Sequence, residues 1–185
     1  MKFITAIALS LILLGCGPNT PTTTQGSLDA ATHALAVATN DLERFYPLCD
    51  AAKDSFDIGA YTNAENYAKE LLVLAPKFTS NWNYGNAIHD GNMVLGRIAL
   101  KEGRIDDAKA RLLAAANTTG SPTLNSFGPN VSLAKDLLEK GETDTALEYF
   151  NCCRKFWRGD FGKLDQWTKD IKEGRAPDFG ANLVY

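Results

Sequence analysis

Three glycines set the pattern that most constrains this chain. "GAYTNAENYAKELLVLAP" begins at Gly59, "GRIDDAKARLLAAANTTG" at Gly103 and "GETDTALEYFNCCRKFWR" at Gly141. Each glycine is followed five residues later by an alanine: Ala64, Ala108 and Ala146. Nine residues on come Ala68, Leu112 and Phe150, and twelve on come Leu71, Ala115 and Cys153. A small or apolar residue every three or four positions is helical spacing, so each glycine opens a helix with one buried face. Seven residues before the glycines stand Ala52, Gly96 and Ala134, preceded by Ala51, Leu95 and Leu133. A second helix therefore lies upstream of each glycine. Its small residue meets the alanine of the downstream helix, so the two axes approach closely.

Helix, glycine turn and helix, repeated three times over Phe45 to Arg158, resembles the tetratricopeptide repeat. The resemblance implies an all-α, right-handed stack of helical hairpins, about eight helices in all. The spacing departs from that family's: the glycines are 44 and then 38 residues apart. The bulky residue usual near the start of the first helix is Leu48, then Asn92, then Asn130. The extra length is assigned to two inserted loops, 77–88 and 117–128. "GSPTLNSFGPN" and the terminal "PDFGANLVY" also resemble a family of bacterial repeat proteins, a likeness that implies no activity. A helix from Ser27 to about Arg44, with Pro47 opening the next, and a last helix from about Gly162 to Lys172 are expected to cap the stack. A terminal extended segment is expected to follow.

The first residues are of another kind. Phe3 to Leu14 is an apolar run too short to span a bilayer but long enough for a signal-peptide core. It ends in Leu13-Leu14-Gly15-Cys16, which resembles a bacterial lipobox. The resemblance implies a signal peptide over 1–15, lipidation of Cys16 and anchoring at the cell envelope. Gly17 after the cysteine implies sorting to the periplasmic face of the outer membrane in a Gram-negative source. Residues 16–26 form the lipidated cysteine and a Thr/Pro-rich tether, and 27–185 the helical domain.

Composition narrows function. The net charge is −3, with acids and bases interspersed and no Lys/Arg-rich run, so nucleic-acid binding is not expected. Cys49, Cys152 and Cys153 lack zinc-ligand spacing and read as small buried residues; no metal and no cofactor are expected. No nucleophile elbow or phosphate-binding loop occurs, and no catalytic residue is assigned. His89 and Asp90 are the one histidine–carboxylate neighbour pair, and adjacent helical residues do not face each other. The chain reads as a non-enzyme.

Two candidate sites remain. Six residues before the turn glycines stand Lys53, Arg97 and Lys135, with Phe56, Leu100 and Leu138 three residues before them. The resemblance implies a groove there that takes a protein or peptide bearing carboxylates. The other site is a polar and aromatic pocket in the insertions: Trp82, Asn83, Tyr84, Asn86, His89 and Asn92, with Asn125, Ser126, Phe127 and Asn130. The leading expectation is a scaffold that mediates protein–protein interaction. The alternative is a small polar ligand at the inserted loops. Trp82 and Tyr84 are expected to pin their loop on the stack.

Overall fold

A computed structural model describes residues 23–184; the signal-peptide and lipidation assignments and the tether as far as residue 22 lie outside them, while the last residues given to the tether, Thr24 to Gly26, are already helical. The described chain is all-α, without strands. Its helices are α1 (Thr24–Val37), α2 (Asp41–Asp57), α3 (Tyr61–Leu74), α4 (Tyr84–Lys101), α5 (Ile105–Ala115), α6 (Pro122–Ser126), α7 (Ser132–Leu138), α8 (Thr143–Cys153) and α9 (Lys163–Lys172). Short 3₁₀ turns occupy Ala75–Phe78 and Gly180–Leu183. The tail expected from sequence to be extended has no regular structure over 175–179, and the second of these turns interrupts it before Val184. Among the described residues, no helix is long and apolar enough to cross a membrane.

The turn glycines sit where the repeat puts them, between α2 and α3, α4 and α5, and α7 and α8. Gly59, Gly103 and Gly141 have φ of 83°, 76° and 85°. That left-handed backbone favours glycine because a side chain would collide with the following carbonyl. Ala108 and Ala146 are fully buried, and the carbonyl of Ala108 lies against the bare face of Gly96.

The first boundary differs from the expectation. Pro47 does not open α2; it lies within the helix, which starts at Asp41. The start is fixed by a reciprocal cap: the Asn40 side chain accepts from the Glu43 N–H at 3.0 Å, and the Glu43 carboxylate accepts from the Thr39 N–H at 2.8 Å. This cap and the buried face of Phe45, Leu48 and Cys49 hold the helix through Pro47, which leaves one carbonyl without a helical partner. Likewise Thr23, not Ser27, caps α1.

The second difference is larger. The segment 77–88 is not a loop throughout. Only the turn between Phe78 and Tyr84 lies between helical elements, and α4 already carries Tyr84 to Asn92. The glycines here serve packing. A side-chain carbon at Gly85 would overlap the carbonyl of Gly120, at Gly91 it would press on Leu72, and at Gly96 on Leu133. Close approach on three sides makes α4 the central, mostly buried helix. Segment 117–128 does leave the helical path, and contains the short α6, capped by Ser121.

The apolar interior divides along the chain. Phe45, Leu48 and Leu71 anchor the N-terminal part, while Phe150, Phe156, Trp157, Trp167 and Phe179 form an aromatic cluster at the C-terminal end.

Candidate functional site

A buried polar chain crosses the middle of the molecule. His89, only 1% exposed, meets the Asp90 carboxylate through Nδ1 at 2.8 Å and the Tyr149 hydroxyl through Nε2 at 3.3 Å. Tyr149 donates to the carbonyl of Asn130 at 3.0 Å, and the Asn130 side chain accepts from the Ser132 N–H and hydroxyl. On the other side the Lys53 ammonium lies 3.5 Å from Asp90 and 3.1 Å from Asp50. The adjacent-residue argument thus fails for His89 and Asp90. Their side chains leave the helix about 100° apart, yet the reach of an imidazole spans that angle when both enter the same buried seam.

Charge within this chain is self-supporting. Burial works to raise the Asp90 carboxyl, but Lys53 and His89 together outweigh it and hold its pKa below the ordinary value. Burial works to lower the Lys53 ammonium, but Asp90 and Asp50 outweigh that and raise it. Both ring nitrogens of His89 have protein partners, so neither is offered to a substrate in this arrangement. The buried Cys49 and Cys153 thiols are pushed up by burial, the opposite of an activated nucleophile. Among the described residues, no group of three His, Cys, Asp or Glu side chains is placed to hold a metal ion.

One edge of the polar chain opens into a cavity of about 360 Å³ lined by Lys53, Asn86, His89, Asp90, Phe127 and Asn130, with Ala181, Asn182 and Val184 of the tail as one wall. The cavity takes members from both sequence-derived sites: Lys53 from the groove, and Asn86, His89, Phe127 and Asn130 from the pocket. The other pocket candidates lie elsewhere. Trp82 is 59% exposed and stacked on Tyr46, so it does not bury its ring as expected. Tyr84 is half-buried, as expected. Asn83 donates to Cys49 Sγ at 3.8 Å. Asn92 bridges α4 and α5 by donating to the Ile88 carbonyl and accepting from Arg111. Asn125 and Ser126 are exposed on α6.

The three cations do not share one depression. Lys53 belongs to the cavity. Arg97, Phe56 and Leu100 line a groove of about 560 Å³ with Asp57, Tyr61 and Asp136. Lys135 and Leu138 line a third hollow, of about 310 Å³, closed by Pro177 and Phe179. In the central groove the Arg97 guanidinium lies 4.3 Å from the Phe56 ring centroid, and Lys101 lies 4.9 Å from that of Tyr61. Asp57 and Asp136 flank Arg97 at 3.9 and 4.0 Å, too far for hydrogen bonds, and Arg97 Nε is buried without a hydrogen-bond partner. Burial raises the pKa of both carboxyls, against the pull of Arg97.

The sequence reading missed these acids and the tail. A signal existed for one of them: Asp136 follows Lys135 as Asp54 follows Lys53, whereas Asp57 stands in a column with Lys101 and Glu139. No protein-family model, curated protein or solved structure matches the chain.

Proposed function

We propose that this chain is a non-enzymatic binding module at the bacterial cell envelope, whose helical hairpins stack in tetratricopeptide fashion and dock a protein segment in the groove around Arg97. The observation that carries this reading is the state of Arg97. Its guanidinium is held on Phe56, its carboxylate neighbours stand beyond hydrogen-bonding distance, and an open groove lies beside it. A partner carboxylate or main-chain carbonyl completes the pairing. The groove carries both signs of charge, so the partner is of mixed charge rather than purely acidic. The Leu13-Leu14-Gly15-Cys16 sequence supports the envelope location.

A photoreactive residue at Leu100 tests the reading by cross-linking in intact cells. The expected result is a discrete protein adduct that Arg97→Gln removes while melting stays unchanged. Capture unaffected by Arg97→Gln refutes the groove.

A second reading, a small polar ligand in the cavity, is favoured by the mostly buried Lys53 and Asp90 charges that line it. Val184→Trp crowds that cavity's mouth. Thermal stabilisation of the parent chain by a metabolite pool that is lost in this variant and kept in Arg97→Gln moves the site there.

A further inference from the structure

Phe161 is 94% exposed and has φ of 49°, the one non-glycine residue in left-handed backbone among the described residues. A bulky side chain is rarely held in that conformation, and strain kept by a fold points to use. Two hydrogen bonds lay its loop beside two other segments, and a third joins those segments to each other. The Gly159 N–H donates to the Asn125 carbonyl at 3.3 Å, Lys163 donates to the Asn182 side chain at 3.2 Å, and Asn182 donates to the Phe127 carbonyl at 3.0 Å. Phe127, 75% exposed, and the exposed Val184 therefore edge the same end of the molecule.

The charge around this end is opposite to that of the chain. Arg154, Lys155, Arg158 and Lys163 are exposed within ten residues that hold a single acid, Asp160, while the chain carries −3. Arg154 pairs with Asp165 at 2.8 Å; Lys155, Arg158 and Lys163 form no ion pair among the described residues. Interrupted by Phe156, Trp157 and Phe161, these cations make no run longer than the pair Arg154-Lys155 in the sequence. A projecting aromatic ring amid cations suits a fluid anionic surface, which needs no matching pocket.

We propose that this end docks on an anionic phospholipid surface, with the Phe161 and Phe127 rings entering the headgroup–acyl boundary and Lys155 and Arg158 facing the lipid phosphates. It is a contact separate from the groove, and it needs no bound partner.

The test mixes the purified full chain with vesicles of phosphatidylglycerol and phosphatidylcholine brominated in the acyl chains. Phe161→Trp is compared with Val73→Trp, a position on α3 that is also exposed. Each spectrum is read as a difference from the parent chain, which holds Trp82, Trp157 and Trp167. The emission added by Phe161→Trp is expected to shift to the blue and be quenched by the brominated lipid, and that added by Val73→Trp to remain unquenched. Adding Lys155→Glu and Arg158→Glu to Phe161→Trp, or raising the salt, is expected to abolish the quenching. Equal quenching at the two positions, none at 161, or quenching that survives charge reversal overturns the proposal. Exposure at 161 leaves the core untouched by the substitution, and unchanged melting of each variant checks it.

Discussion

The imidazole of His89 and the carboxylate of Asp90, adjacent on α4, are hydrogen bonded to one another at 2.8 Å and buried. Through His89 the pair reaches Tyr149 on α8, and through Asp90 it reaches Lys53 on α2. One helix thereby ties both halves of the molecule with polar bonds where the apolar interior divides. Asp90→Ala leaves the Lys53 ammonium and an imidazole nitrogen without their shared partner. Removing one member of a buried charge pair costs about 3–5 kcal/mol, and urea unfolding is expected to show a loss of that order. Asp90→Asn, which keeps the shape and one acceptor, is expected to lose less.

The same carboxylate sets a pH dependence. Its folded pKa lies below the ordinary 3.8, so the unfolded chain takes the proton first. The stability it confers is full above that ordinary value and is lost as pH falls through the folded pKa. Asp57 and Asp136 have raised folded pKa values and act with the opposite sign: their contribution is greatest below 3.8 and is lost as pH rises through the folded value. Melting temperatures measured across the acid range are expected to fall less steeply in Asp90→Asn than in the parent chain. In Asp57→Asn they are expected to fall more steeply.

Thiol access follows burial. Cys49 and Cys153 are buried and their pKa values raised, whereas Cys152 is half-buried. In a chain carrying Cys16→Ala, a thiol-reactive dye is expected to label Cys152 in the folded state. Cys49 and Cys153 are expected to react only in denaturant. Rapid labelling of Cys49 in the folded protein contradicts its place under the Asn83 side chain.

Gly128 has no room for a side chain. Its φ is 88°, and a side-chain carbon there would overlap the Trp157 indole. Overpacking of this kind costs about 1–3 kcal/mol, and the left-handed backbone adds to it. Gly128→Ala is expected to lower the melting temperature and to change the near-ultraviolet signal of Trp157. At Gly141 nothing stands within reach of such a carbon, so Gly141→Ala carries the backbone cost alone and is expected to be the milder of the two.

Cys16→Ala is expected to release the protein from membranes without altering its melting, since Thr-rich sequence separates residue 16 from α1. Fractionation together with palmitate labelling reads both halves of that expectation. Labelling that persists in the variant places the acyl chain elsewhere.

How much of this was legible depended on which residue types have one meaning and which have two. Gly59, Gly103 and Gly141 each stop a helix with left-handed backbone, and spacing found all three. Gly85 and Gly91 look the same in sequence but lie inside α4, where they admit Gly120 and Leu72, whereas the repeat register had already put Gly96 inside a helix. Asn83, Asn86 and Asn92 next to them added to the appearance of a turn, whereas tertiary contact overrode local preference. Pro47 was ambiguous in the same way, and the decisive cap, Asn40 with Glu43, lay a turn upstream. For the candidate sites, residue types were readable but their grouping was not. Lys53, Arg97 and Lys135 recur in register, yet segments 120–130 and 177–184 partition the face between them. Contacts between residues so far apart in sequence leave no periodic trace.

The meeting of Gly85 with Gly120 bears on the order in which the chain assembles. It joins backbones 35 residues apart, across the whole α4–α5 hairpin, beside the hydrogen bond that the Ser121 hydroxyl donates to Asn86 at 2.6 Å. Local helices form faster than such distant pairings, so this junction is expected to close after the hairpin has reached its final crossing, as folding and unfolding rates of Gly85→Ala would show. Interactions absent from the rate-limiting step act on the speed of unfolding alone. Gly85 is thus a latch on the lifetime of the folded state: a methyl group added there would hasten opening and leave the rate of collapse as it was.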